Sequence, residues 1–195
     1  MPANNTTRQL ILEAAVTCVE RDGIEGVTTR KIALEAGTNI ASINYHFRSK
    51  DELLSQVMEM TIRHMLQDVV AAIEADAPFE TTLREVIFYL IDGSLRFPGI
   101  TRAHLQQAIA GHKHGSTSAR AMRRVFDRLA ARAIKSFPKQ PRAELRLRLA
   151  QVLSSILFVM LAPEFFGLPA PYRISNKSAA ARLSESYTQL FLQGQ

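Results

Sequence analysis

Along this chain the apolar residues return every three or four positions, and nowhere do β-branched residues alternate with polar ones between hairpin turns. That period puts the apolar side chains on one side of a helix, so each segment has to bury a stripe against a neighbour. Ile11, Ala14, Ala15, Cys18 and Val19 form the first stripe, and Gly23 stops it. Ile32, Ala33 and Ala36 form the second, with Thr28 as a candidate N-cap and Gly37 at its end. A short third helix over residues 40–47 turns Ile43 and Phe47 inward, with Asn39 or Thr38 capping it. Ser49 followed by Glu52 is a capping-box pattern and starts a fourth helix expected over residues 50–75. Further helices are expected over 80–97, 100–110, 119–137, 142–162 and 177–192. Pro78, the Pro98-Gly99 turn, a loop over 111–118, Pro138 with Pro141, and an irregular stretch over 163–171 separate them. The expectation is an all-α chain of nine helices.

Several function classes fall away on the same residues. The longest strongly apolar stretch, residues 152–162, is far short of the roughly 20 residues a membrane span needs. The start, MPANNTTRQ, has no apolar run behind a basic segment, so no signal peptide is expected. A single cysteine, Cys18, excludes an intramolecular disulfide and fits a reducing cytoplasm. No G-x-S-x-G, phosphate-binding loop or H-E-x-x-H is present, and the expectation is a non-enzyme without cofactor. His104, His112 and His114 lack a nearby cysteine or carboxylate, and Lys113 would repel a cation, so no metal site is expected.

The net charge of +6 is unevenly spread. Residues 1–60 hold six basic and eight acidic side chains, whereas residues 113–148 hold eleven basic and two acidic ones. The basic stretch reads as a solvated arginine-rich face, as an anion site for an effector such as an acyl-coenzyme A, or as an extra DNA contact. The position of the motif described next argues against the last.

The second and third helices, joined by a short turn at Gly37 and Thr38, make a helix-turn-helix candidate. A major groove admits one helix, whose exposed side must carry groups that bond base edges or phosphates. The third helix offers Ser42, Asn44, Tyr45 and His46 there, while Ile43 and Phe47 need the first two helices to pack on.

Residues 8–54, with ILEAA in the first helix, GIEGVTTRKIALEAG across the second and INYHFRSKDELL from the third into the fourth, resemble the DNA-binding region of the tetracycline-repressor-like (TetR) family of bacterial regulators. The resemblance implies an N-terminal three-helix DNA-binding domain over residues 1–54 and a larger helical effector-binding and dimerisation domain over 55–195. It implies DNA contact by Thr28, Thr29 and Arg30 at the start of the second helix, and by Thr38, Asn39, Ile40, Ala41 and Ser42 at the turn. It also implies contact by Asn44, Tyr45 and His46 later in the third helix, and by Lys50 on a phosphate. Position 44 is Asn where many members carry Tyr, and Asn can pair with adenine through two hydrogen bonds. Met58, Met65, Phe88, Ile91, His104, Leu105, Phe126 and Phe158 are candidate lining for a largely apolar effector. Leu149, Val152, Leu153, Ile156, Leu183, Tyr187 and Leu190 are candidates for a two-fold dimer interface. The partners implied are double-stranded DNA with a near-palindromic operator, a second copy of the chain and an unidentified small molecule, with no membrane. The mechanism implied is a ligand-responsive repressor, whose effector spreads the reading heads beyond the half-site spacing. The alternative is a helical protein-interaction or architectural DNA-binding protein with no effector.

Overall fold

A computed structural model of the chain describes residues 2–109, 117–161, 165, 167 and 176–193. The described residues form ten helices and no strand: α1 (Pro2–Gly26), α2 (Thr29–Glu35), α3 (Ile40–His46), α4 (Lys50–Met65), α5 (Gln67–Glu74), α6 (Phe79–Arg96), α7 (Pro98–Ile109), α8 (Thr117–Ser136), α9 (Arg142–Leu161) and α10 (Lys177–Gln193). They divide into two compact units, one of Met1–His64 with Phe97–Ala121 and one of Met65–Arg96 with Met122–Gln195.

In the first unit α1 packs on α2 and α7, and α3 touches both α1 and α2. Ile11, Ala15, Cys18, Val19, Ile32, Ile43, Phe47, Leu53 and Val57 are each at most 1% exposed. Burying a branched aliphatic side chain in this way stabilises by roughly 1.5–3 kcal/mol. Gly23 lies at φ 72°, ψ 161° inside α1, so the chain kinks where the sequence predicts a stop. Pro98, expected in a turn, is instead the first residue of α7, where a missing N–H costs no helical hydrogen bond. The free amides of Gly99 and Ile100 are answered from α1: the Glu20 carboxylate accepts one from each at 2.9 Å.

His104 of α7 is buried, 6% exposed. Its Nε2 lies 3.0 Å from the Thr61 hydroxyl of α4, and its Nδ1 2.7 Å from the Ser118 hydroxyl of α8. The Thr61 proton is taken by the Val57 carbonyl at 2.9 Å, so Nε2–H donates to Thr61 and Nδ1 accepts from Ser118. Burial pushes the His104 pKa down to about 4 and keeps the ring neutral. Ser118 was expected in a loop but belongs to the first turn of α8, and residues 110–116, which hold His112 and His114, lie outside the described residues.

In the second unit α6 is the central helix, packed on α5, α9 and α10. Phe79, Phe137 and Phe191 form its aromatic centre, with ring centroids 5.5–6.3 Å apart. Arg132 of α8 donates to the carbonyls of Ile73, Ala75 and Ala77, which satisfies the end of α5 and the turn behind it.

The expected helix count changes at one place. The helix expected over 50–75 is broken at Leu66, whose φ of −91° and ψ of 0° depart from helical values. The apolar period runs through the break, so spacing alone does not reveal it. In the first unit α7 folds against α1, so Phe97–Ala121 belongs with Met1–His64. No helix among the described residues is long and apolar enough to cross a membrane, and among the described residues no three His, Cys, Asp or Glu side chains cluster to hold a metal.

Candidate nucleic-acid interface

The turn between α2 and α3 is fixed by local bonds. Thr28 is extended and its hydroxyl accepts from the Lys31 amide at 3.2 Å, capping α2. At the other end Gly37 takes φ 62°, with Gly37 N–H donating to Leu34 O at 3.2 Å and Thr38 N–H to Ala33 O at 2.9 Å. This pair of bonds is a Schellman motif, and its left-handed residue favours glycine. Asn39 then caps α3, accepting from the Ser42 amide at 2.8 Å.

These caps set the rotation of α3. Ile43 and Phe47 are buried, each 1% exposed, and Ile40 (45%) and Tyr45 (76%) point to solvent with Ala41 and Asn44. Ser42 and His46 are half-buried rather than fully outward, and the Tyr45 and His46 rings meet edge to face at 5.1 Å. Arg8 lies over the Phe47 ring at 5.3 Å and also bonds Gln56, fastening α3 to α1 and α4.

On the flanks, Thr28 and Arg30 are exposed and Thr29 is half-buried, and at the turn Asn39 is exposed and Thr38 half-buried. Ser49 caps α4 by accepting from the Glu52 amide at 3.1 Å, while the Glu52 carboxylate reaches back to the Arg48 amide at 3.3 Å. Lys50 Nζ donates to Val27 O at 3.2 Å, which holds the ammonium beside the start of α2 and leaves two of its donors for other acceptors. Arg48 stands just behind α3. It is exposed and makes no ion pair among the described residues.

The expected effector residues are divided between the two units. Met58, His104 and Leu105 fall in the first unit, and Met65, Phe88, Ile91, Phe126 and Phe158 in the second. Met58 and Ile91 are fully buried, while Phe158 is 51% exposed, its ring 5.9 Å from Phe165. A cavity of about 570 Å³ in the first unit is lined by Met58 together with Ile24, Glu25, Lys50, Asp51, Leu54, Ser55, Gln107, Thr117 and Arg120. Its rim is more polar than the sequence reading expects of an effector site. Of the expected dimer residues, Leu149, Val152 and Ile156 are buried within the second unit itself. Leu153, Leu183 and Tyr187 are half-buried, and Leu190 is 57% exposed.

Residues 11–57 match the family described as bacterial regulatory proteins, tetR family. The nicotine-responsive transcriptional repressor HdnoR of Paenarthrobacter nicotinovorans is 31% identical over 85 residues, 44% of this chain and 42% of its own. The chain thus spans less than half the length of that relative. The transcriptional regulator BetI of Brucella anthropi is 27% identical over 195 residues, 96% of this chain and 94% of its own. The fold is shared with the regulator PfmR of Thermus thermophilus, at a TM-score of 0.69 and 20% identity, covering 94% of this chain and 97% of that one. The match to the tetR family model thus falls on α1, α2, α3 and the start of α4, the helices that build the helix-turn-helix, and the fold of the whole chain is shared with PfmR.

Proposed function

We propose that the protein is a DNA-binding transcriptional regulator, most simply a repressor, which acts as a homodimer in the cytoplasm and releases its operator when a small molecule binds. The observation that carries this reading is the rotation of α3: capped at Asn39 and pinned inward by Ile43 and Phe47, it presents Ile40, Ala41, Asn44 and Tyr45 together to solvent. Asn44 offers a paired donor and acceptor for adenine, and Ile40 and Ala41 offer apolar contact to a thymine methyl. Thr28, Thr29, Arg30 and Lys50 bracket it for phosphates.

One reading head gives little specificity, and two heads roughly 34 Å apart read half-sites one turn apart. The exposed Leu190 and the half-buried Leu153, Leu183 and Tyr187 support a dimer face on α9 and α10, with Leu149, Val152 and Ile156 backing it from within. An effector shifts the DNA-bound state only by its difference in affinity for the two states.

The test is fluorescence anisotropy on the DNA flanking the protein's own gene and on a scrambled duplex, over a salt series. Tighter binding to the flanking DNA, with affinity falling as salt rises, is the expected result. Equal weak binding to both duplexes, from protein shown by native mass spectrometry to carry no bound small molecule, overturns the reading for that DNA.

A further inference from the structure

The reading head does not account for the basic stretch on α8. Its apolar side is used up inside the protein: Ala121, Val125, Leu129 and Ala133 are all buried. On the opposite arc Arg123, Arg124, Arg128 and Lys135 are exposed in the second unit. Arg128 faces Glu74 at 2.9 Å, and the neighbouring Asp127 is taken by Arg146 at 2.7 Å. Among the described residues Arg123, Arg124 and Lys135 make no ion pair, so the ridge keeps its charge.

We propose that this ridge is a second DNA-contacting surface, which holds the phosphate backbone of double-stranded DNA without reading its sequence. Arg124, Arg128 and Lys135 fall along one line on the solvent side of α8, with Arg123 beside it. A compact anionic effector would need a concave site, whereas an extended polyanion follows such a row. Arg124 and Arg128 are one helical turn apart, about 6 Å along the axis, and a DNA strand carries a phosphate about every 3.4 Å of its axis. Guanidinium groups match phosphate oxygens through two parallel hydrogen bonds. An anionic membrane is disfavoured because no exposed large apolar residue lies on α8 to enter the acyl boundary. The surface uses none of the reading head's residues; the position of the motif argues against the basic stretch as part of that head, not against a separate surface that holds phosphates without reading sequence.

The experiment measures anisotropy of the full chain on a long scrambled duplex and on a short duplex of the flanking DNA, over a salt series. It compares the parent with R123A/R124A and with R102A/K177A, which removes the same charge from exposed sites elsewhere. For R123A/R124A the expected result is about tenfold weaker binding to the long scrambled duplex, with a salt slope smaller by about 2, for two lost phosphate contacts. R102A/K177A is expected to match the parent, and all three proteins to prefer the flanking sequence equally. The same affinity and slope for R123A/R124A and the parent on the long duplex overturns the proposal, as does an equal loss in R102A/K177A. Binding to phosphatidylglycerol vesicles that R123A/R124A abolishes, with the DNA slope unchanged, also overturns it in favour of a lipid surface. Loss of sequence preference in Tyr45→Ala, with ridge-dependent binding to the long duplex retained, separates the ridge from the reading head.

Discussion

Glu20 of α1 stands against Gly99 of α7 so closely that a Cβ built on Gly99 would lie 2.1 Å from the Glu20 carbonyl oxygen, while the Glu20 carboxylate accepts the Gly99 amide at 2.9 Å. One glutamate thus supplies the backbone contact and the cap that the proline-led start of α7 needs. Gly99→Ala is expected to force α1 and α7 apart and to cost roughly 3 kcal/mol or more, because the clash is with backbone. Glu20→Gln, which turns one acceptor into a donor facing an amide, is expected to cost about 1–2 kcal/mol. Urea unfolding of both variants checks the order. A Gly99→Ala protein as stable as the parent would show that the approach is looser than described.

His104 makes stability depend on pH. Its folded pKa of about 4 lies below the ordinary 6.5, so between these values the unfolded chain binds a proton that the folded chain does not. Stability from this group is complete above about pH 6.5 and falls as pH drops towards 4, by about 2 kcal/mol at pH 5. His104→Gln removes this loss. Denaturation midpoints at pH 7 and pH 5 for both proteins test it, and equal losses in the two would contradict a buried neutral ring.

Tyr45 is 76% exposed, so Tyr45→Ala should leave the fold intact and weaken DNA binding. Asn44→Ala should relax preference at one base pair, with a discrimination loss of about 1–3 kcal/mol. Binding to a panel of single-base operator variants distinguishes the two effects. Unchanged affinity and unchanged preference in both variants would remove α3 from the interface.

Phe191 is 1% exposed and sits between Phe79 and Phe137. Phe191→Ala is expected to destabilise by about 3–5 kcal/mol through the cavity it leaves. Thermal unfolding followed by circular dichroism measures it, and a shift of less than a degree would mean that the aromatic centre repacks.

The local pattern of residues determined the helices of the reading head. Thr28, Gly37, Asn39 and Ser49 are caps and stops whose bonds run to residues within five positions, and Ile43 with Phe47 marks the buried side of α3 by spacing alone. Such short-range chemistry is legible in sequence. Tertiary structure decided what depends on partners far along the chain. It set α7 on α1 through Glu20 and Gly99, 79 residues apart, and placed His104 between Thr61 and Ser118. It also broke the long fourth helix at Leu66 and buried Leu149, Val152 and Ile156 inside their own unit. An apolar stripe shows that a helix side must be covered, but the covering surface depends on which helices meet, and that is a property of the packed chain.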